Sequence, residues 1–200
     1  MPTHSKHCGL NQFYFVTFTC YKWLPLLEKS VIYDYLPKWI KEINKRGILV
    51  CGYVFMPNHI HLLVYIQEQS KGLNHVIGEA KRFLAYEIVS RLNQKKETEL
   101  LEKLSAGVQK KELIKGKRHQ VFRLSFDAKP VEGKVAIHDV LDYIHHNPVI
   151  GKWNLVSDYI DYEYSSARFY ESREHRKIKI YHFLDAPEIS EFPTDNSDGD

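Results

Sequence analysis

ILVCGYVFMPNHIHLLVYI, residues 48–66, is the stretch on which the fold turns. Two apolar runs, Ile48 to Phe55 and His59 to Ile66, flank Met56-Pro57-Asn58, which is turn chemistry, so the stretch predicts a β-hairpin. The segments on either side supply what a hairpin needs to be buried. Upstream, Gln12 to Tyr21 (QFYFVTFTCY) alternates Phe13, Phe15, Thr17 and Thr19 with Tyr14, Val16 and Phe18, the period of a strand. Ser30 to Arg46 places Ile32, Tyr35, Leu36, Trp39, Ile40 and Ile43 at three- and four-residue spacing before Gly47. This is an amphipathic helix in which Pro37 is the one misfit. Downstream, Gly72 to Asn93 repeats helical spacing through Val76, Ala80, Phe83, Leu84, Ile88 and Leu92. Gln120 to Phe126 (QVFRLSF) reads as a strand, and Ala136 to His146 as a short helix ended by Asn147-Pro148.

The order strand, helix, strand, strand, helix, strand predicts an α+β class: a ferredoxin-like, RRM-like βαββαβ domain. Its four-stranded antiparallel sheet carries two packed helices, and a C-terminal helix and tail follow. Residues 94–118 interrupt the pattern with eight basic and four acidic residues, a charged insertion that is either a solvated surface excursion or a DNA contact. Residues 185–200 carry six acidic residues and no basic one, and read as an acidic, disordered tail.

The net charge of +3 hides this asymmetry. Without the tail, 28 basic residues stand against 19 acidic, a balance that suits a polyanionic partner such as nucleic acid. No apolar run approaches the ~20 residues of a membrane span, and MPTHSKHCGLNQ lacks the apolar core of a signal peptide. The expected compartment is therefore the cytoplasm. Cys8, Cys20 and Cys51 lack the paired spacing of a zinc or redox motif and read as reduced structural thiols.

In a strand, His59 and His61 project to one side while Ile60 and Leu62 face the other. Two imidazoles converging from one sheet face supply two ligands to a divalent metal; two polar residues on a half-exposed strand would look the same in sequence. The segment LDYIHHNPV, residues 141–149, offers what the pair lacks. Residues i and i+4 share a helix face, so Tyr143 and Asn147 are neighbours, with Ile144 turned inward. A phenol ordinarily loses its proton only near pH 10, yet beside a metal-bound phosphate it can form a phosphotyrosyl bond that conserves the energy of the cleaved phosphodiester. The 13 tyrosines of the chain make simple packing the competing role. His145 and His146 diverge by ~100° around the helix and cannot both face one site.

Taken together, GYVFMPNHIHLLV, YIHHNPV, KWNLV and DYEYSSARFYE resemble the HUH single-strand endonucleases, and within them the REP-associated tyrosine transposases and their insertion-sequence relatives. The histidine, bulky hydrophobe, histidine signature of that superfamily is His59-Ile60-His61 here, and the resemblance covers residues 10–172. It implies a prokaryotic protein that acts at the nucleoid, a divalent metal (Mg²⁺ or Mn²⁺), and cleavage and rejoining of single-stranded, hairpin-forming DNA through a 5′-phosphotyrosine. Carried over by position, His59 and His61 are the metal ligands, Asn147 the third ligand and Tyr143 the nucleophile. Relatives occur as monomers and as homodimers, and the YIxxNPV spelling is that of the monomer-like subgroup. The chain departs from the family in the length of 94–118 and in VFRLSFDAKPV, where other members carry a tryptophan.

For DNA contacts the sequence offers Lys81 and Arg82 on the second helix, Arg123 on the last strand, and Lys152 and Arg168 after the catalytic helix. Tyr86, Phe122 and Trp153 are candidates for stacking on unpaired bases. Ser165 and Ser166 stand where they would cap a final helix from Ala167. Two other classes of function fit the same residues: an RRM-like module that binds single-stranded nucleic acid without chemistry, and a metal-dependent phosphoesterase that uses water.

Overall fold

The structure is a computed structural model and describes residues 9–151 and 153–188. Strands β1 (Gln12–Thr19), β2 (Ile48–Met56), β3 (His59–Ile66) and β4 (Asp127–Val131) form one antiparallel sheet in the order β2-β3-β1-β4. Seven α-helices accompany it among the described residues: α1 (Leu26–Ser30), α2 (Leu36–Asn44), α3 (Leu73–Gln94), α4 (Thr98–Ala106), α5 (Lys110–Ile114), α6 (Lys134–His146) and α7 (Ala167–Ser172). None of these helices is long and apolar enough to cross a membrane.

The hairpin of β2 and β3 forms as the sequence predicts, with Met56 opposite His59 across the two residues Pro57 and Asn58. Its tip is an interior feature. The Pro57 carbonyl accepts from Leu27 N–H at 3.0 Å, and the Asn58 carbonyl accepts from Cys20 N–H at 2.9 Å. Both strands are buried throughout because the sheet is covered on both faces. One face carries Val16, Phe18, Phe55, Ile60, Leu62 and Val64 against α2, α3 and α4. The other carries Leu49, Val54, Leu63 and Tyr65 against Ile137, Leu141 and Ile144 of α6. Residues 173–188, beyond the expected domain end at 172, pack here as well: Phe183 and Ala186 join the α6 face, and Tyr181 N–H donates to Val50 O at 3.1 Å.

The outer edge of β2 is closed by residues 162–170. Phe55 N–H donates to Tyr164 O at 2.9 Å and Ser166 N–H to Tyr53 O at 3.0 Å. The hydroxyls of Tyr162 and Tyr170 donate to the carbonyls of Phe55 and Cys51 at 2.8 and 2.7 Å. Ser166 precedes α7, but its hydroxyl bonds to β2 and does not cap the helix. Ser165 Oγ accepts from Ala167 N–H at 3.2 Å.

Two expectations need correction. The helix expected over Ser30 to Arg46 breaks at Val31, whose φ is +52°, and resumes as α2 at Leu36. Pro37 lies in the first turn of α2, where its missing N–H has no intrahelical partner to lose. The fourth strand is Asp127–Val131 rather than Gln120 to Phe126. Val121 to Arg123 pairs with the chain at the end of β1 through an isolated antiparallel bridge of Phe122 with Cys20, with Tyr21 N–H on Val121 O and Arg123 N–H on Thr19 O, and does not continue as a strand. Pro130 is tolerated in β4 because that strand is a sheet edge. The 94–118 segment is mostly exposed, as a surface insertion would be, and is anchored at a few residues. Leu104 of α4 is fully buried in the core, and a side chain on Gly107 would strike the Tyr21 ring.

Of the acidic tail, residues 185–188 form a 3₁₀ turn with Ala186 buried; residues 189–200 lie outside the described residues. Cys20 and Cys51 are fully buried free thiols whose ionisation is pushed up by burial, in keeping with a structural role; Cys8 lies outside the described residues.

Gly52 sets how closely α6 approaches the sheet. A Cβ there would come within 2.6 Å of Leu141 Cδ2, so the absence of a side chain is what lets Leu141 sit over the strand. Gly52→Ala is expected to cost about 1–3 kcal/mol through overpacking, read as a lower urea midpoint at unchanged m-value; an unchanged midpoint would show that α6 yields freely.

Candidate active site

Four residues singled out in the sequence meet under α6. Along a strand two residues span ~6.6 Å, and along a helix four residues span ~6 Å, so an i, i+2 pair on β3 matches an i, i+4 pair on a helix laid over it. The structure shows this match. The Tyr143 ring lies 5.2 Å from the His61 ring in an edge-on contact, and Asn147 Oδ1 lies 3.2 Å from His59 Nε2. The helix therefore runs antiparallel to β3. Asn147 follows the last turn of α6 with helical φ and ψ, which carries the helix face on to it. The two imidazoles are 4.7 Å apart and only 6% and 5% exposed, which removes the half-exposed-strand reading of the pair. Tyr143, by contrast, is 52% exposed, with its ring edge also against Phe15 at 5.8 Å.

Two residues that sequence reasoning passed over orient the histidines. Asn58 donates through Nδ2 to Trp23 O at 3.1 Å, which turns its Oδ1 towards His59 Nδ1 at 2.7 Å. Both His59 nitrogens thus face amide oxygens, Nε2 that of Asn147, and a neutral ring donates to one of them; the shorter contact is at Nδ1, and with the proton there Nε2 keeps its lone pair. Thr17, opposite His61 in the sheet, places Oγ1 at 2.9 Å from His61 Nδ1, and the His61 ring stacks on Phe15. His61 Nε2 is buried with no hydrogen-bond partner.

Burial holds both rings in the neutral form, the form in which imidazole donates a lone pair. Desolvation lowers the pKa of His59, partly offset by Asn147. It lowers that of His61 to about 3, with a further push from His59. With each proton on Nδ1, the two Nε2 atoms and the Asn147 amide oxygen would offer a donor set that fits a divalent cation. Among the described residues, no three His, Cys, Asp or Glu side chains form a metal cluster, and the third donor here is an amide. The sequence signals for the two supports were Thr17 in the alternation of β1 and Asn58 in the turn itself.

The adjacent histidines of α6 stand apart from this set. His145 is buried on Ser166 Oγ at 2.9 Å, and His146 packs on the Tyr159 ring at 4.2 Å. The expected DNA contacts are dispersed. Lys81 is engaged by main chain, its Nζ donating to Arg123 O at 2.6 Å and Ser125 O at 3.0 Å, so it braces the loop before β4. Arg82 pairs with Glu79 and Arg168 with Asp161, at 3.3 and 3.8 Å. Arg123 lies on that loop rather than on a strand, its guanidinium 5.1 Å over the Trp23 ring. Lys152 lies outside the described residues. Of the stacking candidates Tyr86 is 64% exposed, Trp153 is half-buried and Phe122 is a core residue. A groove of about 980 Å³ runs between α3 and residues 112–126, lined by Tyr86, Lys115, Lys117, Arg118 and Arg123.

No protein-family model matches the chain, and no curated protein matches it in sequence. Among solved structures, the fold is similar to that of a REP-associated tyrosine transposase bound to a REP hairpin, at a TM-score of 0.56. The match covers 90% of this chain and 92% of that one at 15% sequence identity, a level at which the likeness is one of fold.

His145 provides a test of the packing under α6. Burial, and secondarily the neighbouring His146, lowers its pKa to about 4. The folded value lies below the unfolded one near 6.5, so the unfolded chain takes up the proton first. Its contribution is complete above about pH 6.5 and is lost as pH falls towards 4. Urea midpoints of the wild type should drop across that window more steeply than those of His145→Gln, by up to about 1.4 kcal/mol per pH unit. Parallel curves would contradict the buried neutral ring.

Proposed function

We propose that the chain is a metal-dependent single-strand DNA transposase or endonuclease that cleaves and rejoins hairpin-bearing DNA through Tyr143. The observation that carries this reading is the juxtaposition of an exposed phenol with a buried three-donor set, Tyr143 beside His61 and Asn147 beside His59. The strand order β2-β3-β1-β4, with helices between β1 and β2 and between β3 and β4, is the one a ferredoxin-like split βαβ fold would have. The likeness to a transposase that was solved with a REP hairpin agrees with a DNA substrate of that kind.

In this reading His59, His61 and Asn147 would hold Mg²⁺ or Mn²⁺, which when bound would supply Lewis-acid stabilisation of the phosphate's developing charge. Thr17 and Asn58 keep both Nδ1 protons pointing away from that phosphate. Tyr143 Oη forms a bond to phosphorus and gives up its proton as the bond to the 3′ oxygen breaks. A free 3′-hydroxyl leaves, and the 5′ phosphate stays on the tyrosine. Attack by another 3′-hydroxyl reverses the step and joins strands without ATP. The half-exposure of Tyr143 suits a group that must admit a polymer, while the burial of the histidines excludes water from the donor side.

A 3′-labelled hairpin oligonucleotide with single-stranded flanks, incubated with wild-type protein and Mn²⁺, should yield a denaturation-resistant protein adduct. Chelator should remove it, and Tyr143→Phe should abolish it while leaving DNA binding in place. An adduct in that variant sinks the assignment of Tyr143. Metal-independent binding unaffected by His61→Ala, with no adduct on any substrate, would instead favour the binding module, and repeated turnover without an adduct would favour hydrolysis by water. Thr17→Val should weaken Mn²⁺ binding about 10- to 100-fold in calorimetric titration with the thermal melt little changed; equal affinity would remove Thr17 from the site.

A further inference from the structure

Trp23 is the largest side chain close to the site that nothing above uses. It is 51% exposed and belongs to neither core. Its backbone is left-handed at φ +59°, as is that of Lys22 at +51°, although both residues carry a Cβ that disfavours this region. Two consecutive residues of this kind are held only because their surroundings compel it, and such strain is characteristic of functional positions. The Trp23 main chain is tied to the site on both sides. Asn58, which orients His59, donates to the Trp23 carbonyl at 3.1 Å, and Trp23 N–H donates to Cys20 O at 3.1 Å. The indole meets the His59 ring edge-on at 5.9 Å and 76°. Arg123 stands over the indole at 5.1 Å, and no carboxylate pairs with Arg123 among the described residues.

We propose that Trp23, backed by Arg123, is a stacking rest for one unpaired base of the nucleic-acid strand beside the His59-His61-Asn147 set. This rests on the reading of the site as a single-strand DNA enzyme and adds the residue that holds an unpaired base at its entrance. Arg123 lies over the indole and His59 meets it at a steep angle, and the half of its area that stays exposed is what a base would stack on. Stacking there is open to any base and closed to a base that is already paired, because a paired base offers no free face at that depth. Arg123 adds a cation next to the phosphate that follows the stacked base, and it also lines the basic groove beside α3. The groove, Arg123, Trp23 and the histidines therefore lie in sequence along one path. A tryptophan whose only task was to cover apolar surface would lie flat on it with an ordinary backbone.

The test uses full-length Tyr143→Phe protein without added metal, so that binding is read apart from cleavage. A hairpin oligonucleotide with single-stranded flanks is scanned with one abasic residue at a time, and affinity is measured for Trp23 and for Trp23→Ala. At one flank position the abasic residue should weaken binding to the Trp23 protein on the order of ten-fold and leave the Trp23→Ala protein unaffected; Trp23→Phe should restore most of the loss. Tryptophan fluorescence should be quenched by the intact oligonucleotide and much less so in Trp23→Phe. If Trp23→Ala unfolds, Arg123→Gln, which leaves the backbone alone, should reduce the same positional effect. Equal abasic penalties in every protein at every position would overturn the proposal, whether or not an adduct forms with the catalytic tyrosine restored. A positional effect without any adduct would retain the rest and reject the enzyme.

Discussion

Leu141 packs over the bare backbone of Gly52 where α6 lies on the sheet, and with Ile137 and Ile144 it seats the helix that carries the candidate site. Tyr143 lies two residues further along the same helix, and Asn147 four beyond it. Once Leu141 is seated, the near-equal reach of two strand residues and four helix residues brings both onto His61 and His59. A helix shifted by one residue would rotate by ~100° and leave the imidazoles facing an apolar surface. Geometry at the site is thus inherited from packing at a position with no polar chemistry of its own.

The arrangement runs against the economy of the core around it. A sheet covered on both faces is ordinarily filled with apolar side chains, as Leu63 and Tyr65 fill the rest of β3 on this side. Two imidazoles at 5% and 6% exposure, one with a ring nitrogen that has no partner, are a local breach of that rule. Thr17 and Asn58 limit the cost by satisfying one nitrogen on each ring, and the other nitrogen of His59 faces Asn147. Breaches of this kind are expected at functional sites.

Much of this was legible in the chain, and the reasons differ by element. The hairpin could be read because Pro57-Asn58 stands between two largely apolar runs, and the i, i+2 and i, i+4 spacings on β3 and α6 needed only local periodicity. Which face of the sheet α6 would cover was not legible, since nothing local in residues 134–146 says where the helix docks; that depends on Gly52, more than eighty residues away. The misplaced fourth strand has a similar cause. Val121 and Phe122 are apolar because they fill the core beneath α4, and Asp127–Val131 is polar because an edge strand needs few apolar residues. Trp23 was missed because an exposed aromatic has no periodic signature, and Thr17 and Asn58 because their work is done through other residues.

Tyr162 and Tyr170, with the main chain of Tyr164 and Ser166, occupy the hydrogen-bonding groups along the outside of β2. At the opposite margin β4 is five residues long and contains Pro130, which has no N–H to offer. Neither margin gives a long run of free backbone for another polypeptide to extend. Self-association through sheet continuation is therefore disfavoured in this architecture, and a second copy would have to meet the first through helices or loops.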